Sequence, residues 1–314
     1  MDEDVTRYRD GNTSRPRILI IGSAGQLGVE LQKSFAGAGS ITAVDLPTID
    51  ITNEAQLRAF IRETKPDVIL NAAAYTAVDR AESEPDLARA VNAEAPRIMA
   101  EECLRSNALL VHYSTDYVFD GSKTGPWIET DTPNPLSVYG ASKLAGERAV
   151  ADTGGRYLIF RTSWVYGPHG KNFLLTMLRL GGERDQLSIV DDQIGAPTTS
   201  SELAAATHSI VEGVLGGKFG DVDSWADLYH MTCSGSTSWF GFAEAIFTRA
   251  SELLGAKSPE LIPILTSAYP TAAKRPHNSV LSNEKLKARF GVALASWEAA
   301  LDDVFEALLK QQKS

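Results

Sequence analysis

Short runs of nearly unbroken apolar residues recur along the first half of the chain: Ile18 to Ile21, Ile41 to Val44, Val68 to Asn71, Leu109 to Ser114 and Tyr157 to Arg161. Runs of this length without polar alternation predict strands buried on both faces, as in a parallel sheet. Between them apolar positions recur at helical spacing. One helical pattern runs from the glycine-rich turn at 22–28 through Phe35. Thr52 or Asn53 offers a cap for another through about Glu63, a longer one spans Asp86 to Ser106, and a further one carries Tyr139 and Lys143. Strand and helix alternate, which predicts an α/β fold built on a doubly wound parallel sheet. Further on, Ser238 to Phe247 opens an amphipathic helix with caps available from Ser236 to Ser238, its aromatics reading as core. Residues 1–16 are polar, carry both signs of charge and lack periodicity, so a disordered extension is expected there.

The first apolar run is followed at once by Gly22-Ser-Ala-Gly25-Gln-Leu-Gly28 and a helix. Strand, glycine turn and helix in that order predict a Rossmann-type dinucleotide site. Gly22 allows the sharp turn, Gly25 lets backbone approach a pyrophosphate, and Gly28 lets the helix pack closely on its strand. The second run ends in Asp45, about twenty residues past the glycines, where a carboxylate can accept hydrogen bonds from an adenosine ribose. An anion there favours NADH over NADPH, because a 2′-phosphate would meet like charge. Asn71-Ala-Ala-Ala-Tyr75 and Ser114-Thr115-Asp116 fall at the carboxyl ends of predicted strands, where ligands bind in open α/β sheets.

Tyr139 and Lys143, one helical turn apart, form a candidate proton-transfer pair. An ammonium stacked on a phenol favours the ionised form, so the expectation is a Tyr139 pKa below the usual 10; roughly three units of depression need about 4 kcal/mol. A hydroxyl from Thr115 or Ser114 would hold a substrate carbonyl oxygen beside it; neighbours on a strand face opposite ways, so only one can serve. The stretch from Asp120 to Pro135, rich in Gly, Pro and Asn, predicts a surface excursion between the two sites.

With 314 residues the chain can form two domains. The expected division is a dinucleotide-binding domain over 17–168, with segments around 185–250 returning to it, and a smaller α/β substrate domain over 169–314. A formal charge of −10 disfavours nucleic acid as a partner. Phosphates must then be met by local cations and backbone amides. The two cysteines, Cys103 and Cys233, have no CxxC partner and read as buried free thiols. No stretch of roughly eighteen apolar residues and no basic-then-apolar leader is present, so a cytoplasmic enzyme without a membrane partner is expected. The five histidines are scattered without an HxxxH pair, giving a catalytic metal little support.

Five segments together carry a resemblance: the glycine turn, Asn71 to Asp79 with Ala81-Glu-Ser-Glu84, His112 to Phe119, Tyr139 to Glu147, and Arg161 to Tyr166. The likeness continues through Asp191 to Thr198, Ser267 to Thr271 and Lys274-Arg-Pro276. The chain resembles the dTDP-4-dehydrorhamnose reductases, a family of extended short-chain dehydrogenases/reductases, over essentially everything after residue 16. The resemblance implies a catalytic Thr115, Tyr139 and Lys143, and chooses Thr115 over Ser114. It implies a cofactor loop at Gly25, Gln26 and Leu27, and adenosine or ribose contacts at Asp45, Asp50, Ile51, Ala74, Tyr75 and Thr76. Trp164 would pack on the substrate sugar and Asp116 would join Thr115 there. Asn172 and Arg275 are candidates for the substrate diphosphate, since an amide and a guanidinium suit its oxygens. The implied reaction is NADPH- or NADH-dependent reduction of the 4-keto group of dTDP-6-deoxy-L-lyxo-4-hexulose to dTDP-L-rhamnose.

Some members are linked to Mg²⁺ at a dimer contact. Glu30 and Glu202 are acidic candidates for that ion, though nothing in their spacing demands one, and the resemblance allows a homodimer. Two rival readings share these motifs. A nucleotide-sugar 4-epimerase would keep the glycine loop and the Tyr-Lys pair, while a dehydratase would place Asp-Glu after Thr115, where Asp116-Tyr117 stands. The regulatory subunit of methionine adenosyltransferase is similar in motifs but acts as a binding partner.

Overall fold

The computed structural model describes residues 15–312. The expected disordered extension lies outside the described residues apart from Arg15 and Pro16. The central strands are β1 (Arg17–Ile21), β2 (Ser40–Val44), β3 (Val68–Asn71), β4 (Leu109–Thr115) and β5 (Arg156–Thr162). Beyond them run β6 (Val165–Tyr166), β7 (Gln186–Val190), β8 (Ile194–Gly195), β9 (Thr198–Thr199), β10 (Asp227–His230), β11 (Thr237–Ser238) and β12 (Glu260–Ile264). Six of these form one wholly parallel sheet in the order β10-β5-β4-β3-β1-β2. The order reverses between β1 and β3, the switch point at which open α/β sheets bind ligands.

Alternation along the strands feeds a core on each face. Ile18, Ile20, Val68, Leu70, Val111, Leu158 and Phe160 point one way, while Leu19, Ile21, Ile69, Leu110 and Ile159 point the other. The helices that cover them are α1 (Gln26–Ser34), α2 (Glu54–Thr64), α3 (Val78–Ala81), α4 (Pro85–Arg89), α5 (Ala95–Ser106), α6 (Val138–Ala151), α7 (Phe173–Glu183), α8 (Ser200–Leu215), α9 (Trp239–Leu254), α10 (Glu284–Phe290) and α11 (Trp297–Gln312). The fold is therefore the doubly wound α/β class expected from the apolar runs. After β5 the chain builds a second lobe, in which β7 pairs with β12 and β8 with β11. Within that half, β10 extends the central sheet beside β5, and α8 lies against α1.

One expected helix differs in detail. The run from 86 to 106 is broken by a π-helical turn, Ala90–Glu94, between α4 and α5. Pro96 cannot donate to the carbonyl one turn earlier and its ring crowds it, so the turn widens there. That same carbonyl, Asn92 O, packs on α6, where a Cβ at Gly146 would come within 2.1 Å of it.

Candidate active site

The glycine turn leaves β1 at Gly22, whose φ is +84° and whose missing Cβ would fall 2.5 Å from Ala73 N. Gly28 has no positive φ but faces Gly22 O, 2.1 Å from where its Cβ would stand. Only glycines bring α1, the turn and the loop after β3 this close. Helices α2, α6, α7, α8 and α9 are capped by the side chains of Asn53, Ser137, Asn172, Thr199 and Ser238, whereas Gly25 caps α1 with none. The first N–H groups of α1 are thus left for a ligand anion.

Beside this turn lies a cavity of about 460 Å³, lined by Gly22, Gly25, Asp45, Asp50, Ile51, Ala74 and Tyr75. Further lining comes from Leu46, Leu87 and Val91. Asp45 braces the turn, accepting from Ala24 N–H at 3.0 Å and Leu46 N–H at 2.8 Å. Asp50 accepts from Thr52 through both backbone and hydroxyl, which holds its carboxyl below the usual range. The Tyr75 hydroxyl is committed to Glu84 at 2.6 Å, and Thr76 is exposed. Gln26 turns away to the second lobe, and Leu27 packs toward the core. The donor set and the cavity suit a dinucleotide.

Past β4, the Thr115 hydroxyl donates to Asp116 Oδ1 at 3.0 Å and bonds the Tyr139 hydroxyl. Ser114 faces the other way, donating to Glu147 at 2.5 Å. Asp116 is 2 % exposed, and its Oδ2 has no hydrogen-bond partner. Burial raises its carboxyl to about 6, against hydrogen bonds from Ser279 and Thr115.

The Tyr139-Lys143 pair departs from expectation. Burial pushes the Tyr139 phenol up to about 12, opposed by the Thr115 hydrogen bond and helped by the nearby Asp116. Lys143, 2 % exposed, donates to Tyr113 O at 2.6 Å, and burial pulls its ammonium down to about 8. The lysine side chain is drawn to a main-chain carbonyl rather than to the phenol, and burial keeps the phenol protonated. A protonated phenol is the form a general acid needs.

The remaining candidates lie after β5 in the chain, apart from Glu30 on α1. Trp164 adopts a left-handed φ of 47°, costly for a bulky residue, and stacks on Trp239 with ring centroids 3.6 Å apart. One face of Trp164 is therefore covered by Trp239. Asn172 accepts from Leu175 N–H as the cap of α7, and its amide donates to Gln26 Oε1, Gly167 O and His169 O. Those bonds brace the loop from Gly167 to α7 against the glycine turn. Arg275 pairs with Asp79 at 2.6 Å, tying the 271–279 loop to α3. Glu30 is held by Lys33 and lies 3.4 Å from His169, while Glu202 accepts from Ala295 N–H. Among the described residues no three His, Cys, Asp or Glu side chains gather as metal ligands.

Residues 16–310 match the RmlD substrate binding domain family. A dTDP-4-dehydrorhamnose reductase of Burkholderia thailandensis is 48% identical over 94% of the chain and 100% of its own length. One from Escherichia coli (strain K12) is 42% identical, covering 93% and 97%. The crystal structure of a dTDP-4-dehydrorhamnose reductase from Bacillus anthracis, in complex with NADP, superimposes with a TM-score of 0.85 at 38% identity, covering 93% of this chain and 99% of that one. The chain belongs to the dTDP-4-dehydrorhamnose reductase family.

In this family member two further side chains shape the site. Trp239, read from sequence as core, is the stacking partner of Trp164 and also packs on Phe173. Asn92, fully buried, accepts from Tyr75 N–H at 2.8 Å and donates to Tyr75 O and to Ser142 Oγ, joining the cavity loop to the catalytic helix. A polar residue amid the apolar positions of a helix was the one sequence signal for it.

Proposed function

We propose that the protein reduces the 4-keto group of dTDP-4-dehydrorhamnose to give dTDP-L-rhamnose, with NADPH or NADH as reductant. The observation that carries this reading is the hydroxyl pair of Thr115 and Tyr139, a protonated phenol and its hydrogen-bonded neighbour, at the carboxyl end of β4, the strand that pairs with β3. When bound, the dinucleotide supplies hydride to carbon 4 of the sugar. Gly22, Gly25 and the open N-terminus of α1 hold its pyrophosphate, and the alanines at 72–74 leave room along the backbone. Tyr139 donates its proton to the sugar oxygen as charge develops there, and Thr115 shares that charge.

On the substrate side, Thr115, Asp116 and the exposed part of Trp164 meet the sugar. Arg275 offers its guanidinium to the diphosphate while anchored by Asp79. The division of labour is a dinucleotide domain over 17–168, completed by β10 and α8, and a nucleotide-sugar domain over most of 169–314. A cytoplasmic location and a homodimer go with this reading. Among the described residues no helix is long and apolar enough to cross a membrane. The test is a coupled assay: protein, NADPH or NADH, and the 4-keto-L-sugar nucleotide, following absorbance at the nicotinamide band and identifying the sugar formed. Oxidation of the cofactor with formation of dTDP-L-rhamnose is expected; no oxidation with either cofactor contradicts the reading.

A further inference from the structure

Three buried polar side chains form a line across the sheet, and two of them, Asn71 and His112, have no part in the reaction above. Asn71, His112 and Lys143 are 1 %, 0 % and 2 % exposed. Asn71 ends β3 directly opposite His112 of β4, so the sheet register itself sets the first contact. The Asn71 amide lies 3.0 Å from His112 Nδ1, and His112 Nε2 lies 3.5 Å from Lys143 Nζ.

Hydrogen-bond logic fixes the roles. A lysine ammonium can only donate, so Nε2 must be the ring nitrogen that carries a lone pair. Burial, with Lys143 beside it, holds the imidazole well below its usual pKa, so the ring is neutral and its one proton sits on Nδ1. That N–H needs an acceptor. Asn71 Oδ1, as placed, is buried without a partner. Turning the amide by half a rotation brings this oxygen to Nδ1 and gives that N–H its acceptor.

We propose that His112, oriented by Asn71, is a positioning residue that fixes the Lys143 ammonium between its own Nε2 and the Tyr113 carbonyl. The proposal rests on the reductase reading for its catalytic consequence, but the contact itself does not. With two acceptors Lys143 is held at one point beneath the Tyr139 turn of α6. The other charged or titratable groups nearby are Glu147, one turn further along α6 and paired with Arg161 of β5, and Tyr139, one turn back, with the buried Asp116 beside it.

The test reads Lys143 directly in the substrate-free full chain, by NMR of ¹⁵Nζ-labelled lysine, with the signal assigned through Lys143→Arg. In wild type the ammonium is expected to titrate at about 8. His112→Leu removes one acceptor and lowers the midpoint by roughly one unit, and His112→Gln, whose carbonyl reaches the same place, restores it. Asn71→Asp, which can only accept, keeps the midpoint at or above wild type. Turnover follows the protonated fraction: kcat at pH 7 falls about twofold in His112→Leu and recovers in His112→Gln, while KM for NADPH stays constant. Equal midpoints in wild type and His112→Leu overturn the proposal, as does a lowered midpoint in Asn71→Asp or a Gln variant that behaves as the Leu one. Absence of turnover in wild type would instead count against the reductase reading and leave the titration to decide.

Discussion

Glu147 and Arg161 make a buried ion pair, each side chain 4 % exposed, with two hydrogen bonds of 2.8 and 2.6 Å joining α6 to β5. It anchors the helix that carries Tyr139 and Lys143. Glu147→Leu would strand the guanidinium: its Nη1 already lacks a partner, and the remaining neighbour is the Phe119 ring 5.0 Å away. Removing one partner of such a pair costs about 3–5 kcal/mol, because a charge stays buried without compensation. At roughly 2 °C per kcal/mol for a chain of this size, the melting temperature falls by about 6–10 °C. Replacing both residues, Glu147→Leu with Arg161→Met, removes the buried charge and recovers most of that loss. The assay is a double-mutant cycle by urea unfolding at neutral pH, with a coupling of about 2 kcal/mol or more expected. A single variant within about 1 kcal/mol of wild type, or a double variant that loses the sum of the singles, would refute the reasoning.

Three further outcomes follow from single contacts. Gly28→Ala places a methyl against backbone atoms that no rotamer change can clear, 2.1 Å from Gly22 O, so NADPH affinity measured by fluorescence should fall at least about tenfold; unchanged binding contradicts the packing argument. Asp116, raised by burial to about 6 from 3.8, holds a proton in the folded chain that the unfolded chain releases between those values, so its contribution to stability declines as pH rises from about 4 to 6. Asp116→Asn should therefore gain up to about 3 kcal/mol relative to wild type across that window in urea titrations, and a pH-independent difference would count against it. Asp45→Ser removes the anion beside the ribose site and should move the ratio of kcat/KM toward NADPH by about tenfold; no movement means that Asp45 serves only to brace the turn.

Elements whose signal is local were legible in the sequence. The strands announce themselves as apolar runs because a parallel sheet is covered on both faces, and the glycine turn because only glycine tolerates the approach of Gly28 to Gly22 and of Gly22 to Ala73. The choice of Thr115 over Ser114 rested on resemblance, and the structure gives Ser114 another partner in Glu147. What sequence spacing misjudged depends on where a side chain ends. Lys143 has the right register beside Tyr139, yet its ammonium goes to the Tyr113 carbonyl, and burial raises the phenol instead of lowering it. Asn172 also caps α7 and bonds Gln26 across the lobes, contacts that depend on the fold and that spacing does not foretell. Trp239 looked like core because its stacking partner lies far away in the chain.

The central claim is that the Tyr139 hydroxyl delivers the proton that completes reduction of the 4-keto sugar. Rapid mixing of NADPH-loaded enzyme with dTDP-4-dehydrorhamnose measures that step in a single turnover, for wild type and Tyr139→Phe side by side. The account predicts a rate at least about 10²-fold slower in the variant, with NADPH affinity retained. A variant that turns over at the wild-type rate would contradict it.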